Sequence, residues 1–175
     1  IAPPLAWTDA YWGDGSQTPF SFEDFYCNAP EEKVALVILG STGWCGYCPP
    51  YVDHVSSMAA ELNAAGAQVV YFILEKQDGS PASSEYAQNY VTEHPVTDDF
   101  SVRVGGEAQW IYDGGKIVED KPGGIQTSYF PFGWMIKRDN MKVVLDEASN
   151  DPADGIIYMN WLTELYKLKN GDFDE

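Results

Sequence analysis

Two apolar runs organise the chain. Lys33-Val-Ala-Leu-Val-Ile-Leu39 and Gln68-Val-Val-Tyr-Phe-Ile-Leu74 are almost unbroken in β-branched and large apolar residues, the pattern of strands buried on both faces. Between them Val52, Val55, Ala59 and Leu62 recur at helical spacing and Gly66 supplies a stop, which predicts a helix over roughly 49–65. Strand, helix and strand in that order predict a parallel pair joined by a right-handed crossover, the core of an α/β domain.

Weaker signals fill in the rest. Ser80-Pro81 offers an N-cap with proline at the first helical position, and Tyr86, Tyr90 and Val91 give a second helix a buried side up to about His94. Phe132–Lys137, the turn 138–140 and Met141–Leu145 read as a hairpin. A last helix is predicted from about Asp154, with Ile157, Trp161, Leu165 and Leu168 along one side. Residues 1–19 mix prolines and glycines with Trp7, Tyr11 and Trp12, an irregular N-terminal arm with aromatic anchors, and residues 21–26 make a short capped turn. One domain is expected over 20–170, with a variable insertion at 95–128 where Val102, Val104, Trp110 and Ile117 lie scattered among glycine pairs. The end of the chain from Asn170 reads as frayed, with 171–175 an acidic tail.

Composition narrows the function. At 175 residues and 45% apolar the chain closes one core, and its apolar runs are far shorter than the roughly 18–20 residues of a membrane span. Ten basic against 27 acidic residues give a net charge of −17, which repels nucleic acid and anionic lipid. With 14% aromatic residues the composition is nonetheless that of a folding chain. Neither a basic n-region nor an apolar h-region opens the sequence, so no secretory signal is expected within it. Three cysteines are too few to staple a miniature fold.

Cysteine chemistry is therefore local. Trp44-Cys45-Gly46-Tyr47-Cys48 sits where a buried strand hands over to a helix, and exposed amides and the helix dipole at such a corner favour a thiolate. Two intervening residues let the second sulfur reach the first within one turn, so a mixed disulfide can be resolved intramolecularly. A zinc site would need a second ligand pair, and only Cys27, His54 and His94 remain, so no metal or other cofactor is expected. Cys27 precedes a strand of about six residues, roughly 20 Å long, that Cys45 follows. It is expected at the other end of the sheet as a small buried hydrophobe or an intermolecular link. Glu75 ends the second strand on the same sheet edge as the dithiol and is a candidate acid or base, against the commoner fate of a solvated strand end. His54 reads as surface or satisfied, and His94 as a residue at a helix C-terminus.

The order strand, Trp-Cys-Gly-Tyr-Cys, helix, strand, helix, then Tyr129-Phe130-Pro131 before a hairpin and a final helix, resembles the thioredoxin-like superfamily. Phe20-Ser-Phe-Glu-Asp-Phe25 ahead of the first core strand is similar to the extracytoplasmic TlpA and ResA type of thiol-disulfide oxidoreductase. The likeness spans about 20–168, with 95–125 unmatched. It implies a thioredoxin-like α/β fold, a central mixed sheet flanked by helices. It further implies Cys45 as exposed attacking thiol, Cys48 as buried resolving thiol and Trp44 as a wall beside them. Pro131 would be a cis-proline facing the dithiol, with Phe130 offering its backbone to a bound peptide. The implied partners are protein or peptide thiols and disulfides together with a redox partner, in an extracytoplasmic setting: periplasmic, secreted or lipid-anchored.

Departures keep alternatives open. Leu39 stands where many members carry a buried acid or amide, Asp53 stands where they carry a helix proline, and Pro49 and Pro50 follow Cys48 directly. Thr42, three residues before Cys45, matches a thiol peroxidase, although Ile38 replaces the expected proline and Arg103 is only a candidate for the arginine. A non-catalytic binding module would use the arm and the insertion as its recognition surface.

Overall fold

The structure, a computed structural model, describes residues 2, 4–94, 99–107, 130–148 and 158–173. The apolar alternation sorts its side chains onto two faces of one sheet. In strand β4 (Ala35–Thr42) all eight residues are buried. Leu36 and Ile38 join one core, while Ala35, Val37 and Leu39 join the other. Strand β5 (Ala67–Glu75) divides in the same way, with Val70, Phe72 and Leu74 on the first face and Val69, Tyr71 and Ile73 on the second. Both strands begin and end within a few residues of their predicted limits.

Helix α2 (Cys48–Ala64) crosses between them and packs Tyr51, Val52, Val55, Ala59 and Leu62 on the second face. It stops where Gly66 takes a φ of +104°; a Cβ there would meet the Glu32 carbonyl oxygen at 2.4 Å, so glycine is required. Helices α3 (Ser84–Thr92) and α4 (Trp161–Lys169) complete that layer through Ala87, Val91, Trp161, Leu165 and Leu168. Strands β6 (Val102–Gly105), β7 (Phe132–Lys137) and β8 (Val143–Ala148) extend the sheet. With the two-residue strand β2 (Tyr11–Trp12) its order is β2-β6-β5-β4-β7-β8. β4, β5 and β6 run parallel, and β7 lies antiparallel to β4.

Four expectations are corrected. The second helix begins three residues after Pro81, because Pro81 bridges Glu75 and the Ala82 amide bonds the Leu74 carbonyl, prolonging the end of β5. Ser83 caps that helix instead, its hydroxyl accepting from the Tyr86 amide at 3.1 Å. Within the supposed insertion, β6 is a full member of the sheet; of the remainder, 95–98 and 108–128 lie outside the described residues. The arm is not irregular throughout: β1 (Ala6–Trp7) pairs with β3 (Phe20–Ser21), and β2 pairs with β6. The last helix starts at Trp161, capped by the Asn160 side chain, and the chain after Asn170 is closed by Gly171 and Asp172 amides bonding the Leu168 and Lys167 carbonyls. Asp154 and Ile157 lie outside the described residues.

Among the described residues the first face carries no long helix. Leu5, Trp7 and Ala10 of the arm, Phe20, and Phe22 and Phe25 of the short helix α1 (Phe22–Asn28) cover it. Ser21 caps α1 as predicted, accepting from the Asp24 amide at 2.9 Å.

Gly40 of β4 lies opposite Phe132 of β7. A Cβ there would fall 1.9 Å from the Phe132 ring, which is itself 1% exposed and has nowhere to move. Gly40→Ala is expected to cost roughly 1–3 kcal/mol by overpacking. Urea unfolding checks it: the midpoint falls while the slope stays unchanged.

Candidate functional site

The end of β4 builds the site. Its pairing with β5 shifts register between Ser41 and Thr42, which sets Thr42 opposite Glu75. The chain then turns, with the Gly43 amide bonding the Glu75 carbonyl at 2.8 Å and the Cys45 amide reaching the Thr42 carbonyl at 3.3 Å. Gly43 is fixed by crowding: a Cβ would sit 2.3 Å from the Tyr86 hydroxyl and 2.7 Å from the Gln77 amide nitrogen. Cys45 and Cys48 are joined as a disulfide with Cα atoms 5.4 Å apart. Cys45 is 6% exposed and Cys48 fully buried. The expectation of an openly exposed Cys45 is thus corrected, because bonded to a sulfur inside the first helical turn it is drawn into the surface, retaining a small accessible patch.

Trp44 stands half exposed beside the disulfide. Its Nε1–H donates to the Glu75 carboxylate, and its ring meets Phe130 edge-on at 5.8 Å with planes at 83°. Phe130 in turn packs on Phe132 at 5.7 Å, and Phe132 on Trp134 at 4.5 Å. The Phe130–Pro131 peptide bond is cis and Pro131 is buried. Glu75 is 3% exposed, so the solvated strand end is ruled out.

Behind the loop stand residues the motif did not point to. Tyr86 and Tyr90 stack along α3, and the Ser41 hydroxyl donates to the Tyr90 oxygen at 3.2 Å. Burial holds the Tyr90 phenol above its usual range, keeping it neutral. Their only sequence signal was helical spacing, which reads as core. Thr42 Oγ1 is buried with no hydrogen-bond partner among the described residues.

Other candidates are placed elsewhere. His54 bonds the Met159 carbonyl at 2.8 Å, and His94 lies 2.9 Å from an Asp53 carboxylate oxygen. Arg103 lies level with Tyr71 on β5, and its guanidinium bonds Gln88 Oε1 at 2.9 Å and the Trp12 carbonyl at 3.3 Å. Cys27 is exposed on α1, correcting the expected burial: α1 buries Phe22 and Phe25, and Cys27 falls on its other side. Among the described residues no three His, Cys, Asp or Glu side chains gather as a metal site, and no helix is long and apolar enough to cross a membrane.

No family model matches the chain, and no curated protein matches it. Solved structures do. One, described as a thiol:disulfide interchange protein DsbE from Chlorobium tepidum, is 21% identical with a TM-score of 0.57, over 95% of this chain and 93% of the other. An uncharacterised conserved protein from Geobacillus kaustophilus is 17% identical at 0.62, over 97% and 80%. The mitochondrial 2-Cys peroxiredoxin of Plasmodium falciparum is 10% identical at 0.62, over 98% and 93%. The fold is thioredoxin-like.

Within this thioredoxin-like frame the helix N-terminus is unusual in its chemistry. α2 starts at Cys48, Tyr47 gives no side-chain cap, and Pro49 and Pro50 occupy the next two positions. A helix start normally offers four free amides. Here two are missing, and the Cys48 amide already reaches the Cys45 carbonyl at 3.3 Å. The usual donors to a thiolate at this end are therefore depleted. Replacing both prolines, Pro49→Ala with Pro50→Ala, is expected to restore them, stabilise the reduced thiolate form and raise the reduction potential by about 10–40 mV. Equilibration with glutathione buffers measures the shift; an unchanged or lower potential contradicts the argument.

Proposed function

We propose that this chain is a thiol-disulfide oxidoreductase that exchanges disulfides with protein or peptide cysteines. The observation that carries the reading is the Cys45–Cys48 disulfide at the β4–α2 corner, with residual exposure on Cys45 alone. In the reduced protein the Cys45 thiolate attacks one sulfur of a substrate disulfide, forming a mixed disulfide and expelling a substrate thiolate that takes a proton from water. The Cys48 thiolate then attacks Cys45 Sγ, which closes the observed disulfide and releases the second substrate thiol. Two electrons pass to the substrate, and the reverse sequence oxidises a dithiol. Trp44 forms the wall beside the reacting sulfurs, and the cis-bonded Phe130–Pro131 segment is the backbone against which a peptide would lie. The interchange activity by which the Chlorobium tepidum structure is described supports the exchange reaction, and the resemblance to the TlpA and ResA type supports an extracytoplasmic working place.

A thiol peroxidase is the second reading, favoured by the Thr42 hydroxyl three residues before Cys45, which has no hydrogen-bond partner among the described residues. Against it, Arg103 is committed to Gln88 and Trp12.

The experiment is catalytic. Purified protein is expected to turn over a peptide disulfide, Cys45→Ser to abolish turnover, and Cys48→Ser to accumulate a mixed disulfide on Cys45. Absence of turnover while Cys45 of the reduced protein still reacts with iodoacetamide overturns the reading. Peroxide consumption lost in Cys45→Ser, without disulfide exchange in the wild type, would select the peroxidase.

A further inference from the structure

We propose that Glu75 is a positioning residue for substrate, acting through the Trp44 indole and not through a proton; this rests on the oxidoreductase reading above. Glu75 closes β5 at 3% exposure and accepts a hydrogen bond from Trp44 Nε1. A buried carboxylate is costly unless hydrogen-bonded, and a bond to a charged acceptor is the stronger kind, so the two groups hold each other. The backbone of the same residue anchors the loop, its carbonyl taking the Gly43 amide at 2.8 Å. From the other side the indole is braced edge-on by Phe130, next to the cis bond.

Trp44 is nevertheless 46% exposed, directly before Cys45. A tryptophan so exposed would sample several rotamers if it lacked these contacts. Held at its N–H and along its ring, it presents one fixed apolar face beside the dithiol. Its donor points inward, so this wall reads a peptide by apolar contact and not by hydrogen bonding. The substrate it suits is a peptide disulfide with an apolar side chain next to the reacting cysteine. Ordering the indole in advance removes a cost that substrate would otherwise meet on binding.

The test is a cycle over Glu75→Gln, Glu75→Ala, Trp44→Phe and the Trp44→Phe/Glu75→Ala double variant. It compares a peptide disulfide flanked by leucine with a small aromatic disulfide that has no flanking chain. Glu75→Gln keeps an acceptor and is expected to keep the wild-type KM. Glu75→Ala is expected to raise KM for the peptide about 2- to 10-fold, the effect falling on KM and not on kcat, and to leave the small disulfide unaffected. Trp44→Phe reproduces that rise, and the double variant is no worse than Trp44→Phe alone. Three outcomes overturn the proposal: Glu75→Gln losing kcat together with its pH dependence, which marks a proton-transfer group; Glu75→Gln raising KM as far as Trp44→Phe; or Glu75→Ala adding its full effect in the Trp44→Phe background. Should Glu75→Ala fail to fold, the first two still decide. If the wild type turns over neither disulfide, the oxidoreductase reading fails on its own. Acrylamide quenching of the Trp44 emission, taken as the difference from Trp44→Phe, then tests the positioning: it rises in Glu75→Ala and not in Glu75→Gln if Glu75 holds the indole, and equal quenching in all three overturns it.

Discussion

The site hangs on the last rungs between β4 and β5. Up to Ser41 the two strands pair residue for residue, each buried on both faces, so neither can slide without turning apolar side chains the wrong way. The shift after Ser41 skips one residue of β5 and brings Thr42 level with Glu75. That single irregularity turns the chain out of the sheet, aims the Gly43 amide back at β5, and leaves Trp44, Cys45 and the start of α2 with one available course. A bulge at a sheet edge commonly re-aims a strand in this way. Here the rigid part is the sheet, and the chemistry sits one loop beyond it.

β4, α2 and β5 were legible in the sequence because each satisfies one period over many residues. The dithiol was legible because its spacing means something only at a strand-to-helix corner, and the flanking runs supplied that corner. Where reading failed, a partner distant in sequence had outweighed a local signal. Ser80-Pro81 is a good helix start in isolation, yet Pro81 is drawn into a bridge with Glu75 and the helix waits for Ser83. Strands of two residues, such as Ala6–Trp7 and Tyr11–Trp12, carry no period at all and exist only because Phe20–Ser21 and β6 offer them edges. Glu75 followed the general habit of carboxylates towards water until its companion was considered. The Trp44 N–H, 31 residues away in sequence and invisible to any window of local sequence, is what makes burial tolerable.

The aromatic surplus has a division of labour that bears on what the molecule can recognise. Among the described residues, one face of the sheet is covered not by a long helix but by Trp7, Phe20 and Phe22, whose rings meet at 6.0–6.3 Å, with Trp7 also set edge-on to Phe72 at 5.4 Å. The Trp7 indole N–H is spent on the Gly105 carbonyl at 2.8 Å. These buried rings pin the arm to the sheet and are themselves spent on the core. Among the described residues the large apolar side chains left in solvent are Tyr26, Trp44, Tyr47, Phe100 and Tyr166. Two of the five, Trp44 and Tyr47, lie within the five-residue dithiol motif, whereas the other three come from α1, the approach to β6 and α4. A binding module without chemistry would use the arm and the 95–128 insertion as its surface, and of the insertion 95–98 and 108–128 lie outside the described residues. This chain buries Leu5, Trp7 and Ala10 of the arm and keeps two exposed rings, Trp44 and Tyr47, on either side of Cys45, so whatever docks by apolar contact there docks against a sulfur.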